Sequence, residues 1–247
     1  MSDRKPLLFV QYGNFLFKYR NTLFPVILIP LLLILKPAPV HEGSFWSVWS
    51  DLIGWCIAIL GQLIRVAVIG LVYIVRGGRN HKVYADDLVT DGIFSHCRNP
   101  LYVGNLLILF GLFIIHNNPW VYLLGIPFFL TSYMAIVAAE EFFLGNKFGE
   151  DYQRYCRSTN RWLPRLKGLS STFRSLKFHW KRVVAKDYSS FSYWVLAAIL
   201  IMGEEWYYYR EAYSGDFWLT VLIVALFMDV LIFYISRKFK KAGRLAG

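Results

Sequence analysis

Long apolar stretches separated by short polar ones set the pattern of this chain. They run at about Asn21 to Pro39, Asp51 to Val75, Pro100 to Ile115, Trp120 to Ala139, Ser190 to Tyr207 and Phe217 to Ile235. Several reach the roughly 20 residues a helix needs to cross a bilayer. A lipid-exposed backbone must satisfy its own hydrogen bonds, so each stretch predicts a helix. The expected fold class is an all-α polytopic transmembrane bundle of about six spans, with a polar loop and helix outside the spans. The first stretch has a short purely apolar part, Leu23 to Leu35, and holds Pro25 and Pro30, which predicts a kinked or re-entrant segment. His116-Asn117-Asn118-Pro119 is tight enough to join the third and fourth spans as an antiparallel helical hairpin. Between the fourth and fifth spans, Leu169, Phe173, Leu176, Trp180, Val183 and Val184 recur at helical spacing. Lys167, Arg174, Lys177, Lys181 and Arg182 turn mostly away from them, which predicts an amphipathic helix lying on the cytoplasmic surface, with Phe178 on the wrong face. Met1 to Pro6 is not followed by a short apolar run ending in small residues, so no cleavable signal peptide is expected.

Composition agrees with lipid as the main solvent, since 56% of residues are hydrophobic and only 17% charged. A length of 247 residues suits one compact bundle without a second globular domain. The net charge of +11 would suit nucleic acid until the charges are placed. Alternating the spans puts 24 of the 27 lysines and arginines on one side. Only Lys36 and Arg210 lie opposite, beside Glu204, Glu205, Glu211 and Asp216, while Arg65 sits inside the second span. By the positive-inside rule both termini are expected to be cytoplasmic. Topology and anionic inner-leaflet lipid then account for the basic excess, and nucleic acid is set aside as a partner. Trp46, Trp49, Trp120, Trp206 and Trp218 gather at the outer interface as an aromatic belt would. Cys97 and Cys156 fall on the reducing side and Cys56 in a span, so no disulfide is expected. No His, Cys and carboxylate set has zinc-like spacing, and no metal is expected. Cys97 beside Arg98 could have a lowered thiol pKa, but no histidine and orienting carboxylate partner it.

Two polar clusters carry the candidate chemistry. The first is the run Asp91 to Gly104, which contains Gly92, His96, Arg98, Asn99, Pro100 and Tyr102; the second is Glu140-Glu141. Both abut apolar segments, where ionisable groups are costly to keep. On the expected topology both face the cytosol, so a soluble polar, partly cationic ligand can reach them. Pro100 suits the first turn of a helix and Asn99 is placed to cap it. Gly104 and Gly111 share one face seven residues apart, a pattern of close helix packing. Successive helical positions point about 100° apart, so at most one of the two glutamates faces the bundle squarely. An intramembrane arginine needs a carboxylate or a cavity, so Arg65 is expected to pair with Glu140 or to gather an acidic acceptor group.

The run from Leu88 through Thr90, Gly92, Arg98, Pro100, Tyr102 and Gly104 resembles the isoprenylcysteine carboxyl methyltransferase and phospholipid methyltransferase superfamily. Glu140-Glu141, and then Phe148-Gly149, Tyr152, Tyr155, Arg161 and Pro164, continue the resemblance in order. The family's usual Arg-His-Pro stands here as Arg98-Asn99-Pro100, without an imidazole at 99. The resemblance covers about residues 50 to 165. It divides the chain into an N-terminal segment with the first span (1–49), a methyltransferase-like membrane core (50–165), a basic interfacial segment (166–189) and two additional spans with a basic tail (190–247).

The resemblance implies an integral membrane enzyme that takes S-adenosyl-L-methionine from the cytosol and methylates a lipophilic or lipid acceptor entering from the membrane. That cofactor's sulfonium and α-amino group call for carboxylate, its own carboxylate for guanidinium, and its adenine for an aromatic slot. Glu140 or Glu141 would take the cationic groups and serve catalysis together with Arg65, while Arg98 or Arg161 would take the carboxylate. Tyr102, Tyr152 and the Val89-Thr90 backbone would line the adenosine region, with Asn99, Pro100 and Tyr155 in the same set. Gly92 and Gly104 would permit close approach, and His96 would hydrogen-bond the cofactor. Two other classes remain open at this point: a membrane reductase taking NADPH on a related helical core, and a non-catalytic lipid-binding protein.

Overall fold

A computed structural model of the chain describes residues 7–38, 45–72, 83–209 and 217–245. It contains helices α1 (Leu8–Ile34), α2 (Phe45–Leu71), α3 (Pro100–His116), α4 (Pro119–Ser158), α5 (Leu169–Ser175), α6 (Trp180–Tyr209) and α7 (Phe217–Lys241). A short 3-10 turn, Gly92–Ser95, precedes α3, and no strand occurs among the described residues. The all-helical expectation holds. The six expected spans fall on α1, α2, α3, α4, α6 and α7, and four of these (α1, α2, α4 and α7) are long and apolar enough to cross a membrane. The third span, α3, has 17 residues.

Helix α1 differs from its expectation. It begins at Leu8 rather than near Asn21 and continues as one helix through Pro25 and Pro30. Neighbouring helices re-satisfy what a proline releases in a membrane helix, so the two prolines do not end it. Phe24 shows how α1 is held there, with its ring edge-on to Phe129 and Tyr133 of α4 at 5.3 and 5.4 Å.

Backbone proximity sets the α2–α3 pair. A Cβ built on Gly61 would lie 2.5 Å from the Gly104 carbonyl oxygen, and one on Gly111 would lie 2.5 Å from the Gly54 carbonyl oxygen. The seven-residue spacing is matched on both helices in antiparallel order, the arrangement that small residues permit between membrane helices. The packing expected of Gly104 and Gly111 is therefore present. The α3–α4 turn places Asn117 in the left-handed region (φ 51°), and Asn118 caps α4 by accepting from the Trp120 amide at 2.8 Å.

The amphipathic helix expected within 166–189 is not one element. Helix α5 stops at Ser175, Leu176 is extended (φ −103°, ψ 140°), and Trp180 opens α6, which runs unbroken to Tyr209. The boundary expected at 189/190 thus falls inside a helix. Phe178 explains the break. Its ring lies against Gly70 at the end of α2, and the His179 amide donates to the Gly70 carbonyl at 2.9 Å. A continuous helix would carry Phe178 away from that seat. Leu176 packs beside Ile93 and over Gly92, so the segment anchors the loop before α3.

Candidate active site

The site is assembled by two stapled loops and by residues of α1, α3 and α4. Residues 93–99 run beside residues 159–165: the Arg98 amide donates to the Asn160 carbonyl at 2.9 Å, and the Arg165 amide donates to the His96 carbonyl at 2.9 Å. Asn99 Nδ2 donates to the Arg161 carbonyl at 3.1 Å. This last bond corrects the capping expectation. Asn99 occupies the N-cap position of α3, but its side chain makes no cap bond and is spent across the loops instead. Pro100 is buried at the first helical position, as its missing amide allows.

His96 is a staple. It is 3% exposed, its Nδ1 is 2.6 Å from the Arg165 carbonyl and its Nε2 is 2.9 Å from Thr172 Oγ1. Both ring nitrogens are committed to protein, in place of the expected cofactor contact. Tyr155 acts similarly, with its hydroxyl donating to the Phe94 carbonyl at 2.7 Å. Cys97 is buried, with Sγ 3.4 Å from the Trp162 carbonyl; desolvation by burial pushes its thiol up, against the weaker pull of Asn99 and Arg98. A reactive thiolate would need the opposite shift.

The two adjacent glutamates turn apart, as their 100° separation requires. Glu141 faces the stapled loops. Arg161 holds it in a fork, through Nε at 3.0 Å from Oε1 and through Nη2 on Oε2, and Arg98 Nη2 lies 3.4 Å from Oε1. The hydrogen bond to Glu141 is the main reason the Arg161 guanidinium is raised above its usual value. Two guanidinium groups on one carboxylate leave a surplus positive charge, and the Arg98 Nε is buried without a hydrogen-bond partner. Such an orphan donor invites an acceptor. Glu140 faces the bundle. Tyr102 donates to its Oε1 at 2.6 Å, while Arg20 Nη1 donates to the Tyr102 oxygen at 2.9 Å. The Tyr102 ring lies 5.5 Å from that of Tyr133, which fixes its plane.

The remaining expected residues take distinct places. Tyr152 is buried beyond Gly149, whose non-helical conformation (φ 54°, ψ −120°) breaks α4 between Phe148 and Tyr152. Val89 and Thr90 are half-buried in the segment leading to Gly92, which takes φ 61°. Gly104 lies against Gly61 and the Arg65 side chain, so the close approach it permits is that of α2.

Arg65 does not pair with Glu140. Its Nη2 bonds Asp187 of α6 and its Nη1 bonds Asn105 of α3; Gln62 Nε2 donates to Asp187 Oδ2 at 2.8 Å, and Trp194 Nε1 donates to Gln62 Oε1 at 3.0 Å. Sequence reasoning required a carboxylate for Arg65 but did not find Asp187, which lies 122 positions away. It also passed over Arg20, whose only sequence signal was a basic residue at the end of a span.

Residues 51–151 match the family model for phospholipid methyltransferase. The chain is 30% identical over 157 residues to the cobalt-zinc-cadmium resistance protein CzcN of Cupriavidus metallidurans, covering 62% of this chain and 67% of that one. It is 28% identical over 163 residues to the nickel-cobalt-cadmium resistance protein NccN of Alcaligenes xylosoxydans xylosoxydans, covering 66% and 70%. It is 28% identical over 141 residues to the mouse protein-S-isoprenylcysteine O-methyltransferase, covering 52% of this chain and 48% of that one. The chain therefore spans about half the length of the isoprenylcysteine methyltransferases it matches. No solved structure matches it significantly.

Proposed function

The chain belongs to the isoprenylcysteine carboxyl methyltransferase and phospholipid methyltransferase superfamily of integral membrane proteins, and on that premise we propose that it transfers a methyl group from S-adenosyl-L-methionine to a lipophilic acceptor at the cytoplasmic membrane face. One observation carries the reading. Adjacent glutamates of α4 hold different partners, Glu141 gathering Arg98 and Arg161 while Glu140 accepts from Tyr102, which supports a site with a guanidinium end and a carboxylate end. A ligand bearing both a carboxylate and positive charge needs that pairing.

The residues present fit the cofactor. The surplus charge at Arg98 and Arg161, with the unpartnered Arg98 Nε, suits an amino-acid carboxylate. Glu141, committed to both arginines, holds them in position, and Glu140 is left for the cationic side. When bound, S-adenosylmethionine supplies an electrophilic methyl group on a sulfonium. Displacement at that methyl needs little covalent help, so the protein's work is alignment and exclusion of water. Bringing two reactants into line supplies on the order of 7 kcal/mol or more. The stapled loops flank the two arginines, and on this reading the acceptor enters from the lipid. A carboxylate acceptor is already ionised near neutral pH. An amine acceptor must lose a proton, and Glu140 is the carboxylate placed to take it.

The names of CzcN and NccN describe metal resistance. Among the described residues no group of three or more His, Cys, Asp or Glu could hold a metal ion, so the reading follows the methyltransferase relatives. Anionic lipid of the inner leaflet is the expected surface partner, and the distribution of basic residues supports a cytosolic location for both termini.

Thermal unfolding of the purified protein tests the reading. S-adenosylhomocysteine at a hundred times its dissociation constant adds about 2.7 kcal/mol, roughly 5–10 °C for a chain of this size. Labelled methyl transfer into a total lipid extract then identifies the acceptor. Stabilisation by NADPH instead would move the assignment to reduction, and stabilisation by neither ligand would leave a lipid-binding protein.

A further inference from the structure

Arg20 lies on α1, outside the segment that matches the family model. Its guanidinium carbon sits 4.2 Å from the centroid of the Phe17 ring, one turn earlier on the same helix, and Phe17 is 5% exposed. From that seat Nη1 reaches the Tyr102 oxygen at 2.9 Å, and Tyr102 reaches Glu140 Oε1 at 2.6 Å. The sequence of donors along this line is not free. A guanidinium has N–H donors and no acceptor, so the phenol oxygen must accept from Arg20. The phenol has one proton, and that proton is left for Glu140. Glu140 Oε1 is thereby an acceptor whatever occupies the site. Without Arg20 the phenol could rotate its proton elsewhere and accept from a protonated Glu140. The groups acting on Glu140 are Arg20 from α1, Tyr102 from α3 and Glu141 from α4, with Tyr133 of α4 packed beside Tyr102.

We propose that Arg20 is a positioning residue that fixes the direction of the Tyr102–Glu140 hydrogen bond and so tunes the Glu140 side of the site to positively charged ligand groups. The ligand named here rests on the methyl-transfer reading, whereas the ordering of the hydrogen bonds does not. Arg20 touches no reacting atom on this account. It acts through Tyr102, and it ties α1, which the family segment lacks, to the chemistry. The cation–π seat on Phe17 holds the guanidinium plane while the hydrogen bond aims it.

The test uses the full chain in lipid nanodiscs, with Arg20→Met, which keeps an apolar stem on Phe17 and removes the donor, and Arg20→Lys, which keeps a charged donor. The first readout is the Raman tyrosine doublet, whose intensity ratio separates phenols that donate and accept, only donate, or only accept; the Tyr102 contribution is isolated by difference against Tyr102→Phe. Wild type is expected to show the donor-and-acceptor signature, Arg20→Met a shift toward the acceptor signature as the phenol comes to accept from Glu140, and Arg20→Lys a return toward wild type; a donor-only signature in Arg20→Met overturns the fixed direction. The second readout is the affinity ratio of S-adenosylmethionine, cationic at sulfur, to S-adenosylhomocysteine, neutral there. Arg20→Met is expected to reduce that ratio by about tenfold or more, the scale of one charge-assisted hydrogen bond. An unchanged Raman doublet in Arg20→Met overturns the relay. A changed doublet with an unchanged ratio overturns the positioning role. Wild type binding neither nucleoside overturns the methyl-transfer reading and the selectivity assigned to Arg20, with the Raman result still deciding the relay by itself. Should Arg20→Met fail to fold, Tyr102→Phe carries the same expectation for the ratio, and an unchanged ratio there overturns the proposal.

Discussion

Arg65 of α2 and Asp187 of α6 form an ion pair sealed inside the helical bundle, with side chains only 4% and 2% exposed. The pair joins the family-like segment to the chain beyond residue 165, so α6 is part of the core rather than an appendage. Gln62 and Trp194 extend the same network, so Arg65 is held in a structural pair.

Removing either partner alone leaves a buried charge without compensation, which costs about 3–5 kcal/mol. Arg65→Ala and Asp187→Ala are each expected to lower stability by that amount in mixed-micelle unfolding. Arg65→Met combined with Asp187→Leu should recover most of the loss, because no charge then remains buried. Single variants as stable as wild type would remove the lock.

Glu141 is predicted to act on cofactor affinity through the arginines it holds. Glu141→Gln releases the Arg161 fork and the Arg98 contact, and S-adenosylhomocysteine binding should weaken by about 10- to 100-fold. Arg161→Lys cannot reproduce a two-point contact and should weaken binding similarly. Calorimetric titration checks both, and a change below twofold would place the cofactor carboxylate elsewhere.

Glycine substitutions should separate sharply. Gly104→Ala drives a Cβ to 2.7 Å from the Gly61 carbonyl oxygen and 2.8 Å from the Arg65 side chain, so about 1–3 kcal/mol of overpacking is expected. Gly149→Ala meets nothing within 4 Å but sits at φ 54°, ψ −120°, so its cost is backbone strain of roughly 1–3 kcal/mol. Gly203→Ala has open space and an ordinary helical backbone, and it should stabilise by roughly 0.5–1 kcal/mol. Thermal unfolding of the three variants gives the order directly.

Burial of Cys97 predicts an unreactive thiol with a defined pH signature. Desolvation raises its pKa above the ordinary 9.0, so the folded state holds its proton more tightly than the unfolded state. The associated stability is fully present below pH 9 and is lost as pH rises through the folded value. Alkylation of Cys97 at neutral pH should be slow in the native protein and fast after denaturation. Rapid native labelling would contradict the stapled loop.

The chain's own pattern determined what is local. Apolar length and the need of a lipid-exposed backbone to bond itself dictated the helices, and the glycine spacing marked the close-packing face of α3. The ordered set Arg98, Tyr102, Glu140, Glu141 and Arg161 was singled out in the sequence through its resemblance to the methyltransferase superfamily. Only the tertiary structure decided the partners: Asp187 for Arg65, the loops for His96 and Asn99, the two arginines for Glu141, and Arg20 with Tyr102 for Glu140. Several of these pairings join residues far apart in the chain, such as Arg65 with Asp187 or Arg20 with Tyr102. Helical periodicity fixes the direction of a side chain about its own axis. Which group stands opposite depends on how the helices dock.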